Sequence, residues 1–134
     1  MYYMSILGGV LVPDPDTVQS GQTVQTVRGP VPVAELGRVL PHEHVVCNLS
    51  RVSGQIGGYL DDPEEAVRDL KVFRALGGRT IVDCTSLGLG RDPATLRAVS
   101  EEADVHIVMG SGWYRESYHE ENLNKVGTAE LTER

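Results

Sequence analysis

The sequence predicts an α/β fold with a parallel sheet, and three observations carry the prediction. Two strongly capped helices are spelled out, each opened by Asp-Pro: "DDPEEAVRDLKVFRALGG" from residue 61 and "RDPATLRAVSEEA" from residue 91. Each is followed at once by a short, almost unbroken apolar run, "RTIVDCT" (79–85) and "DVHIVMGSG" (104–112). Such runs mark strands buried on both faces. Strands alternating with helices build right-handed βαβ units, and so a parallel sheet.

The order of elements begins with a hairpin. "TVQTVRGPVPV" (23–33) alternates and is rich in β-branched residues, and Pro30 and Pro32 confine it to an edge strand or a hairpin arm. The chain then turns at Gly37 and re-enters a strand at about 39–46. In the first helix Asp62 is the N-cap, Pro63 takes the first helical position and Glu65 stands where a capping box places an acid. Ala66, Leu70, Phe73 and Leu76, with Val67 beside them, form its apolar stripe, and Gly77-Gly78 ends it. Asp92 caps the second helix. Gly88 and Gly90 before it are turn glycines. After a polar loop with Trp113 and Tyr114, Thr128 opens a third helix, "AELTER". Three parallel strands with two full helices leave sheet edges and faces uncovered. The expectation is therefore part of a larger α/β fold, apparently truncated.

Composition narrows the function. The 134 residues fit one domain, with 40% hydrophobic and 23% charged residues. Nineteen acidic residues against twelve basic give a net charge of −7, which argues against nucleic acid. No stretch approaches the roughly 20 apolar residues of a membrane span. Residues 1–22 have a short apolar run with no basic residue before it, a poor signal peptide, and are read as a flexible leader. Cys47 and Cys84 lie in apolar surroundings, as buried thiols do in a reducing cytoplasm.

The chemistry centres on "VLPHEHVVCNL" (39–49). On a strand, residues i and i+2 share a side, so His42 and His44 project together and Glu43 faces away. Near the C-terminal end of a parallel strand, where α/β sites are built, two neutral imidazoles can hold one Zn²⁺ at about 2.0–2.1 Å. An isolated His-x-His is often only a pair of hydrogen-bonded core histidines. Here two unpaired imidazoles in an apolar run would incur desolvation with no compensation, and the polar segment that follows suits the mouth of a site. Zinc takes three or four protein ligands, and the remaining histidines do not supply them. His106 opens its strand at the opposite end of the sheet, and His119, in the loop after that strand, either approaches the mouth of the site or, the commoner case, is solvated. Asp83, late in the second strand, either orients a histidine from behind or is a buried carboxylate satisfied by backbone N–H groups. "SLGLGRDP" fails as a dinucleotide loop, because Pro93 stands where a third glycine is needed and Asp92 would repel a phosphate.

These segments resemble the phosphotriesterase family of the amidohydrolase superfamily. "TVRGPVPVAELGRVLPHEHV" resembles its opening hairpin and first barrel strand; "GGRTIVDCTSLGLGRDPATLRAVSEEADVHIVMGSGWY" resembles its second strand, second helix and third strand. The resemblance implies that residues 23–134 are the N-terminal portion, the first three βα units with their leading hairpin, of a (β/α)₈ TIM barrel. It implies a binuclear site in which His42 and His44 bind the more buried of two divalent metals, Zn²⁺ being the expected one. A carboxylated lysine or glutamate, two further histidines and an aspartate would come from later strands. Tyr114 falls where an aromatic residue lines the substrate pocket, with Trp113 beside it. The implied chemistry is metal-assisted hydrolysis of a phosphotriester, lactone or related ester, with water activated and the phosphoryl or carbonyl oxygen polarised. The implied partner is a small-molecule ester, and a homodimer is a family habit. Two classes remain open: a metal-dependent hydrolase represented by its N-terminal part, or a non-catalytic assembly piece without a competent metal site.

Overall fold

The structure, a computed structural model, describes residues 4–7, 10–13, 21–50, 58–119 and 123–133. Its centre is a three-stranded parallel sheet of β5 (Arg38–Glu43), β8 (Gly78–Asp83) and β9 (His106–Met109), with β8 in the middle. Helix α1 (Pro63–Ala75) connects β5 to β8, and α2 (Pro93–Ala103) connects β8 to β9. Two hairpins precede the sheet, β1 (Met4–Leu7) with β2 (Val10–Pro13) and β3 (Thr23–Thr26) with β4 (Gly29–Pro32). A two-residue ladder pairs β6 (Cys47–Asn48) with β7 (Tyr59–Leu60), and α3 (Thr128–Glu133) is the last element.

Both long helices start where their caps dictate. Asp62 Oδ1 accepts from the Glu64 and Glu65 amides at 2.9 and 3.1 Å, and Asp92 Oδ1 from those of Ala94 and Thr95 at 3.0 and 3.2 Å. Pro occupies the first turn of each, where no amide hydrogen is needed. The Thr95 hydroxyl adds a 2.7 Å bond to Asp92, and these bonds hold the Asp92 carboxyl below its ordinary pKa. Val67 and Leu70 of α1, Val99 and Ala103 of α2, Ile81 of β8, Ile107 of β9 and the adjoining Val105 make one core between the helices and the sheet. The β3–β4 hairpin sits under it, its turn donating from the Val27 amide to the Ile107 carbonyl at 2.9 Å.

Several sequence expectations need correction. Leu76 is not part of the apolar stripe. Helix α1 ends at Ala75, and Leu76 stands 73% exposed while its carbonyl accepts from Arg38. Gly77, at φ +88°, makes the left-handed exit, and Gly78 already belongs to β8. The first parallel strand ends at Glu43 rather than residue 46, because its register with β8 slips between Leu40 and Glu43. Strand β5 is an edge of the described sheet, as the uncovered edges expected from the sequence imply, and Val39 and Leu40 are exposed. Within residues 1–22, read from the sequence as a flexible leader, Met4–Leu7 and Val10–Pro13 pair as antiparallel strands. The polar segment after His44 contains β6 and β7 at its two ends, while residues 51–57 lie outside the described residues. The buried Cys47 thiol has its pKa raised by desolvation and by the Asp83 charge.

Candidate metal centre

The parallel strands end together at Glu43, Asp83 and Met109, and the residues immediately after them form one cluster of loops. His42 and His44 stand at this end. Their rings meet edge to face with centroids 5.8 Å apart. With a Zn–N bond of about 2.1 Å, a ring centroid sits about 3.2 Å from the metal, so two rings ligating one ion have centroids within about 6.4 Å. The observed spacing fits that limit. The strict alternation expected for the His-Glu-His triplet is broken by the slip in β5. Glu43 and His44 both line a cleft of about 410 Å³ between β5, Tyr59-Leu60 and α1, and His44 lies just past the strand.

His44 is held from behind. Its Nδ1 lies 3.0 Å from the Thr85 hydroxyl, which donates to Asp83 Oδ1 at 2.8 Å. The same Oδ1 accepts the Val45 amide at 3.2 Å. Asp83 and Thr85 are fully buried. They are two apart at the end of β8 and face the same way. Both meanings that the sequence left open for Asp83 are therefore met together: it satisfies a backbone amide and reaches a histidine through Thr85. Thr85 itself went unrecognised in the sequence, although an Asp-x-Thr at the end of a buried strand, next to a strand ending in His-x-His, was the available signal.

Other polar atoms crowd this end. Asp83 Oδ2, Ser86 Oγ, Trp113 Nε1 and Tyr118 Oη are buried without a hydrogen-bond partner among the described residues. Among the described residues no three His, Cys, Asp or Glu side chains gather to hold a metal.

The loop after β9 lies over the turn after β8. Leu87 donates its amide to the Gly112 carbonyl at 3.3 Å, and a Cβ on Gly88 would sit 2.8 Å from that of Tyr118. This loop carries Trp113 and Tyr114 at the same end as the histidines. Tyr114 packs edge-on against Tyr118 at 5.1 Å, with the Arg115 guanidinium 5.6 Å from both rings. Trp113 is half-buried. His119 is exposed and bonds the Tyr114 carbonyl through Nε2 at 2.7 Å. His106 is at the far end of the sheet, buried, with Nδ1 accepting from Arg28 at 2.9 Å. Burial, first, and then the Arg28 and Arg79 charges push its pKa below the ordinary histidine value.

Comparison with known proteins fits this geometry. The phosphotriesterase family model matches residues 22–133. N-acetyltaurine hydrolase of Rattus norvegicus is 33% identical over 82% of this chain, which spans 40% of that protein's length. A resiniferatoxin-binding protein from Rhodobacter sphaeroides superposes with a TM-score of 0.73 at 32% identity, over 87% of this chain and 40% of that one. A lactonase from Listeria monocytogenes superposes with a TM-score of 0.66 at 27% identity, over 84% and 37%. The matched region is the N-terminal part of these relatives, so the three βα units are the opening portion of their larger α/β barrel. With a family match over residues 22–133, well over half of its length, this chain belongs to the phosphotriesterase family.

Proposed function

We propose that this chain contributes the first metal ligands, His42 and His44, to a metal-dependent hydrolase of small-molecule ester or amide bonds. One observation carries the proposal: two imidazoles paired 5.8 Å apart at the C-terminal end of the first parallel strand, one of them braced through Nδ1. Divalent metals, with Zn²⁺ the first candidate, would supply water activation and polarisation of the scissile group. The chain's own residues have other tasks. Asp83 and Thr85 fix one imidazole, and the loop bearing Trp113 and Tyr114 forms one side of a substrate pocket. Membership of the family supports this reading, and the relatives broaden the substrate. One is named for hydrolysis of an N-acyl compound and another for lactones. Amides therefore stand beside phosphotriesters and lactones as candidate substrates.

The test uses the whole enzyme that carries this chain, assayed with an N-acyl amide, a lactone and a phosphotriester before and after chelation. Hydrolysis of at least one, removed by chelator, restored by Zn²⁺ and lost in His42→Ala and His44→Ala, is the expected result. Full turnover with both histidines replaced would overturn the assignment.

A second reading rests on coverage: this chain spans 40% of the length of the relatives it matches. Zinc sites take three or four protein ligands. We therefore expect the 134-residue chain on its own to turn over little or no substrate and to act as a folding or assembly unit. The open β5 edge favours its self-association, and a sharp monomer peak at high concentration would count against that.

A further inference from the structure

We infer that Thr85 is a positioning residue that sets the tautomer of His44, placing the ring hydrogen on Nδ1 and leaving the Nε2 lone pair free to ligate a cation. The inference rests on the metal-ligand role proposed for His44 and adds the means by which that ligand is prepared.

The argument is an accounting of hydrogens. A threonine hydroxyl has one hydrogen and two lone pairs, and a carboxylate oxygen only accepts. Thr85 Oγ1 lies 2.8 Å from Asp83 Oδ1 and 3.0 Å from His44 Nδ1. If its hydrogen pointed at the histidine, two oxygens would face each other at 2.8 Å with none between them, in a place with no solvent to screen them. Both residues are fully buried, where an unmade bond of that kind costs most. The hydrogen therefore goes to Asp83. Thr85 Oγ1 is left as an acceptor only, and His44 can bond to it only by donating from Nδ1. A neutral imidazole carries one ring hydrogen, so Nε2 presents its lone pair. Asp83 cannot turn away, because the Val45 amide holds the same Oδ1 at 3.2 Å. Val45 immediately follows His44, so one carboxylate oxygen fixes both the backbone beside the ligand and, through Thr85, the ring. The hydroxyl thus does for His44 what a carboxylate or carbonyl behind a metal-bound histidine commonly does.

The test is read without metal and without turnover. Long-range ¹H–¹⁵N correlation spectra of the ¹⁵N-labelled chain, recorded at mildly alkaline pH, distinguish the protonated from the unprotonated ring nitrogen. The expected wild-type spectrum shows Nδ1 protonated. In Thr85→Val, which keeps the shape and removes the hydroxyl, that signature is lost in favour of Nε2–H or a tautomer mixture, and Thr85→Ser restores it. An unchanged backbone amide spectrum shows that each variant is folded. If Thr85→Val fails to fold, Thr85→Ser and the wild-type tautomer still decide. An Nε2–H wild type, or a Thr85→Val variant that keeps Nδ1–H, overturns the inference. Added Zn²⁺ probes the underlying role separately. Movement of the His44 Nε2 resonance, weakened about 10- to 100-fold in apparent affinity by Thr85→Val, supports both. The Nδ1–H tautomer with no response of Nε2 in the whole enzyme overturns the ligand role and leaves the relay standing.

Discussion

Replacing Asp83 by Ala removes the shared acceptor at the heart of the histidine-bearing end, and its effect can be worked from two bonds. The Thr85 hydroxyl and the Val45 amide both lose Oδ1. A buried donor left without a partner costs about 1–3 kcal/mol. Thr85 is fully buried and can recover a bond only by turning its hydrogen to His44 Nδ1, at the expense of that ring's tautomer, whereas Val45 is only half-buried and water can reach part of it. The expected loss is therefore about 2–4 kcal/mol, a large share of the stability of an ordinary domain. Asp83→Asn is the informative partner. It keeps a carbonyl oxygen at Oδ1 and changes only the Oδ2 position, which has no hydrogen-bond partner among the described residues, so its loss should be about 1 kcal/mol. Urea unfolding followed by Trp113, the single tryptophan, measures both, and similar m-values allow direct comparison. Equal losses in the two variants, or an Asp83→Ala loss within about 0.5 kcal/mol of zero, would refute the idea that Oδ1 organises this end of the sheet.

Further expectations follow from the rest of the molecule. His106 has a folded pKa below its unfolded one, so the unfolded chain binds more protons. Its stabilising contribution is complete above the unfolded value near 6.5 and falls as pH drops below that. Melting temperature should decline between about pH 7.5 and 5.5, and His106→Gln should flatten the decline; an equally steep profile would contradict it. Asp104 adopts a left-handed conformation (φ 53°) and gathers Arg28, Arg74 and Arg79, with the Arg74 bond the main reason its carboxyl is held below the ordinary pKa. Because it is 60% exposed, Asp104→Asn should cost about 1 kcal/mol or less, with high salt shrinking the difference. Ile107→Ala, in the centre of the core, should cost about 2–5 kcal/mol by chemical denaturation. Gly110→Ala places a Cβ 2.9 Å from the Asp83 carbonyl, where backbone must shift, and should weaken the 2.7 Å bond from the Gly110 amide, read as faster amide exchange there.

Much of the fold was legible because local signals agreed with it. Asp62-Pro63 and Asp92-Pro93 act within a few residues, through caps that need only their own helix, so the starts of α1 and α2 could be placed by inspection. The apolar runs of β8 and β9 rest on strand periodicity in the same way. What the sequence could not show was anything set by a neighbour distant along the chain. The slip between β5 and β8 ends the first strand at Glu43 and turns Glu43 and His44 toward one cleft. The exit at Gly77 leaves Leu76 in solvent despite its place in the helical pattern. Above all, Thr85 meets His44 across 41 residues of sequence, and Asp83 meets Val45 across 38. The residue types at the strand ends were fixed by the sequence alone. Which hydroxyl stands behind which imidazole was decided by how two parallel strands register, since a hydrogen bond depends on sub-ångström distance and direction that no spacing along the chain encodes.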